Sequence, residues 1–172
     1  VSYPVNSDAP FVFAFSEKIT LYEREKLDRQ QLIRLAQKGN YDCILCGGWA
    51  DKDYLATVKA CRETTSILGF DTPWKGNAKQ YLAALYARMM IMPHFDYVWV
   101  PGERQTQLAR RIGFSEKNIL KGIYSCDTKK FSDLYSIIKQ ASKKSSKKLI
   151  YTGRYAEVKF IKQLWQTVKE LR

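Results

Sequence analysis

The stretch Tyr41-Asp42-Cys43-Ile44-Leu45-Cys46-Gly47-Gly48-Trp49 decides the fold. Its first six residues form a short apolar run, which is typical of a buried strand. Gly47 and Gly48 then let the backbone turn where that strand ends. The same pattern returns at residues 95–102, where an apolar run is followed by Pro101 and Gly102. Because longer amphipathic stretches lie between such runs, the sequence predicts alternating strands and helices around a parallel sheet.

The rest of the chain continues this alternation. The predicted strands are 41–46, 64–70, 95–100, 119–124 and 148–152, and the predicted helices are 22–38, 51–63, 77–92, 103–112, 128–141 and 157–171. We therefore expect an α/β fold, a Rossmann-like parallel sheet with helices on both faces, followed by the first strand and helix of a second Rossmann-like domain.

Helix 77–92 carries a stripe of large apolar side chains at helical spacing. Its members are Tyr81, Leu82, Leu85, Tyr86, Met89 and Met90. A stripe of this kind is far more often core than part of a cofactor site, so we predict that it packs inside the domain.

Residues 142–148 contain only Ser and Lys, which is the composition of a linker. We predict one domain at 1–141, a linker at 142–147 and the start of a second domain at 148–172. A lone strand and helix cannot bury their apolar faces, so we expect the second domain to be incomplete here. The first domain is expected to lack its opening strand and helix.

Composition indicates a packed, basic protein. The chain has 172 residues, of which 45% are hydrophobic and 13% aromatic, whereas disordered chains are poor in both classes. A formal net charge of +12 favours polyanionic partners: nucleic acid, acidic membrane or phosphorylated small molecules. The sequence has no apolar run of membrane-spanning length and no signal-peptide pattern. We expect a cytoplasmic location, with peripheral binding at the inner membrane face left open.

Cys43 and Cys46 form a C-x-x-C pattern, the spacing found in zinc and redox sites. In a strand, residues three apart point to opposite faces, so the two thiols would diverge. We predict buried, unreactive cysteines. The single His94, just after Pro93, lacks the set of partners that a metal site requires, so no metal site is expected.

Four segments, taken in order, resemble a known enzyme family. They are 41–49, 95–102, 113–131 and Tyr151-Thr152-Gly153-Arg154 with Lys159. Together they are similar to the GT-B glycosyltransferases often called family 4 or group 1. This chain departs from the family pattern at Gly47, where a His is usual, and at Ser125-Cys126, which replace Asn and Gly.

The resemblance implies that 1–141 is the acceptor-side domain and that 148–172 begins the donor-side, nucleotide-sugar domain. It implies transfer of a glycosyl group from a nucleotide diphosphate sugar to a hydroxyl of a polysaccharide, lipid-linked or other glycan acceptor. It further implies retention of configuration, with no metal and no cofactor besides the donor substrate. Arg154 and Lys159 would hold the donor diphosphate, and an Arg fork with a Lys point charge suits that task. We expect residues 1–172 alone to be inactive.

Ligands of parallel sheets bind beyond the carboxyl ends of the strands. The residues predicted to line this cleft are Gly47, Gly48, Trp49, Trp74, Lys75, Lys79 and Gly102. Asp71 falls where relatives carry a His that touches the reacting sugar, so it is either catalytic or the start of an Asx turn. Lys75 and Lys79 either bind a phosphate or lie free in solvent. Trp49 and Trp74 either stack on a sugar or pack.

The rival hypothesis is a basic Rossmann-like module that binds nucleic acid. Such modules interleave aromatic side chains with positive charge. Here the densest basic cluster, residues 143–148, lies in the predicted linker, and the aromatic residues fall inside apolar helices and strands. We therefore expect no specific nucleic-acid partner. An acidic membrane surface remains compatible with the transferase hypothesis.

Overall fold

A computed structural model of the chain describes residues 2–3, 17–122, 128–141 and 160–170. The chain divides into two compact units, Val1–Ser125 and Cys126–Arg172. The predicted linker at 142–147 and the predicted strand at 148–152 lie outside the described residues, as do Arg154 and Lys159.

Unit 1 is built on a four-stranded parallel sheet. A small parallel pair, β1 (Ser2–Tyr3) and β2 (Tyr22–Glu23), is separate from it. The main strands are β3 (Cys43–Gly47), β4 (Thr65–Gly69), β5 (Tyr97–Val100) and β6 (Ile119–Lys121). They lie side by side in chain order and all pair in parallel. The prediction of an α/β, Rossmann-like parallel sheet flanked by helices is thus confirmed.

Helices connect the strands of the sheet. Unit 1 contains α1 (Arg29–Lys38), α2 (Lys52–Ala60), α3 (Ala78–Met90) and α4 (Glu103–Ile112), with short 3-10 helices at Arg24–Lys26, Met92–His94 and Glu116–Asn118. Unit 2 contains α5 (Thr128–Ala141) and α6 (Ile161–Glu170). None of the helices described in either unit is long and apolar enough to cross a membrane.

The core of unit 1 forms where alternate strand residues meet α2, α3 and α4. Leu68 of β4 and Val98 of β5 have no exposed surface. Helix residues such as Val58, Ala87 and Ile112 pack in the same cluster. The neighbouring residues along β4 and β5 alternate with these buried ones and are more exposed, as expected when successive side chains point to opposite faces of a strand. Apolar burial of this kind is the main stabilising contribution to the unit.

Helix α1 begins at Arg29, so the predicted helix 22–38 starts seven residues too early. Asp28 ends the preceding extended segment and caps the helix. Its carboxylate accepts from the Gln31 backbone N–H at 2.8 Å, and the Gln31 side chain accepts from the Asp28 N–H at 2.9 Å. This capping box satisfies amides that the first helical turn leaves unpaired.

The prediction that the stripe of helix 77–92 packs inside the domain is wrong. Leu82 is 70% exposed and Met89 is 68% exposed, and the other members of the stripe are exposed as well. The buried side of α3 is formed instead by Ala84, Ala87 and the following Ile91. Because alanine is small, it lets the helix approach the sheet closely while the larger side chains point outward.

Truncation of a core leucine of β4 and of an exposed leucine of α3 should therefore differ in cost. Leu68→Ala, at the sheet beneath the helices, should lower the free energy of unfolding by about 2–5 kcal/mol, because it leaves a cavity. Leu82→Ala should change it by less than about 0.5 kcal/mol. Urea unfolding of both variants measures the difference. Equal losses would show that Leu82 is buried in solution.

An ion-pair cluster ties the segment before α1 to the start of α2. The half-buried Arg24 donates from Nε to Asp51 at 2.7 Å and from Nη2 to Asp53 at 2.6 Å. Arg29 donates to Asp53 at 2.7 Å, and Asp51 also caps α2 by accepting from the Asp53 N–H. The hydrogen bond from Arg24 lowers the pKa of Asp51, and those from Arg29 and Arg24 lower the pKa of Asp53.

This cluster should make stability depend on pH in the acid range. A carboxylate whose pKa is lowered by folding contributes fully above its unfolded pKa, about 3.9 for Asp, and loses that contribution as pH falls through its folded pKa. The melting temperature should therefore drop below about pH 4. Asp51→Asn keeps a capping oxygen but removes the charge, so its melting temperature should drop less steeply.

Thermal melts monitored by circular dichroism across this pH range provide the measurement. Asp42→Asn removes an exposed carboxylate outside the cluster and serves as the matched control, since its acid profile should follow that of the wild type. An Asp51→Asn profile as steep as that of the wild type would contradict the assignment.

Candidate functional site

The carboxyl ends of the parallel strands meet at one edge of the sheet. Gly47 of β3 pairs with Gly69 of β4, which pairs with Trp99 of β5. The chain leaves each strand there into a loop that contains predicted cleft residues. We call residues 47–49, 70–77 and 101–104 the strand-end loops, although the first range includes the last residue of β3 and the third includes the first two residues of α4. This edge is where ligands of parallel sheets bind.

The turn after β3 is held by its own backbone. The Gly48 N–H donates to the Cys46 carbonyl at 3.0 Å, and the Cys46 thiol donates to the Gly48 carbonyl at 3.1 Å. Gly48 has a φ of 94°, a conformation that side chains disfavour. A Cβ added at Gly47 or Gly48 would meet no atom within 4 Å. The backbone here is therefore open to the approach of a ligand.

Trp49 joins the first strand-end loop to the second. Its ring packs edge-to-face on Phe70, with 5.3 Å between the ring centroids. Trp49 is half-buried and packs against the core, so the structure uses this ring to hold the loops together.

The second strand-end loop is fixed to the start of α4. The backbone N–H of Trp74 donates to the Arg104 carbonyl at 3.1 Å. The side-chain Nε2 of Gln105 donates to the Asp71 carbonyl at 3.0 Å. Gln80 braces the same loop from α3, because it accepts from the Lys75 N–H at 2.6 Å and donates to the Pro73 carbonyl at 2.8 Å. The structure thus brings Asp71, Trp74 and Lys75 together in one constrained loop.

The Trp74 ring packs between α3 and α4. It meets Tyr81 edge-to-face at a centroid distance of 4.8 Å. The guanidinium of Arg111 lies 4.4 Å from its centroid, at cation–π distance. Trp74 is half-buried. Of the two interpretations of Trp74, packing is the one that these contacts support.

Basic side chains surround this edge of the sheet. Lys75 and Lys79 are exposed and lie at either side of the α3 start, where Asn77 accepts from the Gln80 N–H at 2.9 Å. Among the ion pairs of the described residues, none involves either lysine. Cations at a helix start oppose the helix dipole, and a bound anion would offset that. Asp71 is exposed in the same loop, and the half-buried Gly102 is the residue that immediately precedes α4.

The cysteines differ from one another in burial. Cys46 is buried as predicted, but the prediction is wrong for Cys43, which is exposed. Cys61, which follows α2, is also buried. Cys43 lies at the beginning of an edge strand of the main sheet. Burial raises the pKa of Cys46 to about 11, so its thiol stays protonated at neutral pH. Within the described ranges no group of three or more metal-ligating side chains occurs.

Three residues that fix the loops were missed by sequence reasoning: Gln80, Gln105 and Arg111. Only Gln80 could have been found from the sequence, because it follows Asn77 by three residues, which is the spacing of a capping box at the start of a helix. Gln105 reaches the carbonyl of a residue 34 positions earlier in the chain, and sequence alone gives no indication of that contact.

No protein-family model, no curated protein and no solved structure matches the chain. The predicted diphosphate-binding residues, Arg154 and Lys159, lie outside the described residues. The site defined by contacts is therefore the edge formed by the strand-end loops of unit 1.

Substitution of the adjacent glycines Gly47 and Gly48 should affect the free energy of unfolding unequally. Gly48→Ala forces a side chain into a positive φ and should lower the free energy of unfolding by about 1–2 kcal/mol. Gly47→Ala meets open space at an ordinary φ and should change it by less than about 0.5 kcal/mol. Urea unfolding of each variant tests this. Equal costs would mean that the turn differs from the one described.

Proposed function

We propose that the chain is the acceptor-side domain of a GT-B glycosyltransferase, with residues 148–172 as the start of its donor-side domain. The observation that carries the proposal is the parallel sheet whose carboxyl ends converge on three loops, the second of which is hydrogen-bonded to both α3 and α4. Such an edge suits a cleft that must hold an acceptor rigidly against a donor. The order of motifs in the sequence supports the choice of this class.

The proposed reaction transfers a glycosyl group from a nucleotide diphosphate sugar to a hydroxyl of the acceptor. The acceptor oxygen forms a bond to the anomeric carbon, the bond to the diphosphate breaks, and the hydroxyl proton is released. Asp71 would orient the hydroxyl or support positive charge at the sugar carbon. Arg154 and Lys159 would neutralise charge on the departing diphosphate without a metal.

The basic residues of the edge fit an acceptor that bears phosphate. Lys75 and Lys79 are exposed and belong to no ion pair within the described segments. A phosphorylated or lipid-diphosphate acceptor would place negative charge between them. The proposal therefore favours a lipid-linked or otherwise phosphorylated glycan over a neutral one.

The packing of the two tryptophans at the strand-end loops supports this function over nucleic-acid binding. Trp49 and Trp74 are half-buried and hold loops together, whereas a single-strand-binding surface presents exposed rings for stacking. A salt-dependent gel shift with mixed DNA and RNA separates the two functions. Binding that is tight and persists at moderate salt would favour the nucleic-acid module.

Transfer assays on the full-length gene product, with a panel of labelled nucleotide sugars and membrane-extracted acceptors, test the proposal. At least one donor should give product. Arg154→Ala and Lys159→Ala should each lower kcat/KM by about 100-fold, the usual effect of losing a group that stabilises developing charge. Asp71→Asn should lower kcat with little change in KM.

Arg34→Ala, at an exposed position on α1, is the control for general loss of positive charge and should keep wild-type rates. Two results would count against the proposal. One is the absence of transfer from every donor, and the other is an Arg154→Ala variant that turns over as fast as the wild type.

A further inference from the structure

Helix α3 has two apolar sides, and only one of them is used in the core. Ala84, Ala87 and Ile91 are buried against the sheet. The opposite side exposes Leu82, Leu85, Tyr86, Met89 and Met90, each between 48% and 70%. We call these five residues, which are the predicted stripe without Tyr81, the α3 stripe. Within the described part of unit 1, the stripe is therefore not among the buried core residues.

Positive charge borders the α3 stripe. Helix α3 contains no Asp or Glu, whereas it carries Lys79 near its start and Arg88 near its end. Arg111 of α4 lies 5.4 Å from the centroid of Tyr81, beside the stripe. None of these three cations takes part in the ion pairs found among the described residues. The formal net charge of the whole chain is +12.

The charge pattern distinguishes between possible occupants of the stripe. A second copy of the chain would bring Lys79 and Arg88 against the same cations on its partner, with no acidic residue on α3 to compensate. An acidic lipid surface supplies the negative charge together with an apolar layer for the leucines and methionines. Tyr86 and the long Lys and Arg stems suit the boundary between lipid chains and headgroups.

We propose that the α3 stripe docks unit 1 on a membrane that contains acidic lipids. The helix lies in the plane of the interface, its stripe enters the boundary of the acyl chains, and Lys79, Arg88 and Arg111 contact lipid phosphates. This proposal does not depend on transferase activity, because it concerns only binding to a lipid surface. It goes beyond a general attraction of a basic protein to membranes, since it assigns the contact to one helix face.

Vesicle co-sedimentation with the full chain tests the proposal. The vesicles are pure phosphatidylcholine, or phosphatidylcholine with about one third phosphatidylglycerol. The wild type should pellet with the acidic vesicles only. Leu82→Gln/Met89→Gln should weaken that binding by about tenfold, because two exposed apolar side chains no longer enter the lipid. Arg88→Glu should weaken it about fivefold or more.

Matched variants elsewhere on unit 1 control for hydrophobicity and charge. Tyr41→Gln/Leu45→Gln removes two apolar side chains that are 51% and 52% exposed, and Arg34→Glu reverses an exposed charge on α1. Both should bind acidic vesicles like the wild type. Circular dichroism melts establish that all variants are folded.

Three outcomes would overturn the proposal. The first is a wild type that fails to pellet with acidic vesicles, and the second is a loss of binding in the control variants equal to that in the stripe variants. The third is a dimer, seen by sedimentation velocity, that Leu82→Gln/Met89→Gln dissociates while vesicle binding is unchanged. That third result would assign the stripe to a second copy of the chain.

Discussion

The parallel register of β3, β4, β5 and β6 is the constraint on which the rest of unit 1 depends. Three parallel ladders of backbone hydrogen bonds align the four strands, and the side chains of Leu68 and Val98 are buried in the resulting sheet without exposed surface. Because of the same alignment, neighbouring strands end at the same level, so the strand-end loops lie at one edge of the main sheet. The burial of the core and the position of the candidate site therefore follow from a single arrangement of the backbone.

The strands were predictable because their signals are local. Short apolar runs closed by Gly47-Gly48 or Pro101-Gly102 located β3 and β5, and their alternation with helices gave the fold class. The start of α1 was missed although Asp28 and Gln31 have the spacing of a capping box, because apolar periodicity was extended across them. Which side of α3 faces the core was not predictable, because both sides of that helix are apolar. The buried side is the one with the small side chains.

For the candidate site too, one part could be predicted from the sequence and another part could not. Sequence order and the rule for strand ends located Asp71, Trp74 and Lys75 in one loop after β4, and the structure places them there. The contacts that fix this loop could not be predicted, because Gln105 and Arg111 reach it from another helix. Local chemistry therefore located the loop, while its rigidity arises from contacts made only after the chain has folded.

The coincidence of strand order with chain order affects how the sheet can assemble. Among the described strands of the main sheet, β4, β5 and β6 each pair with the strand that precedes them in the chain. The paired residues are 21 to 30 positions apart, because each connection contains a helix, and closing such a loop costs entropy before the strands make contact. Because strand order follows chain order, the main sheet can nevertheless grow from β3 toward β6, with each new βα segment pairing with a strand that has already been synthesised.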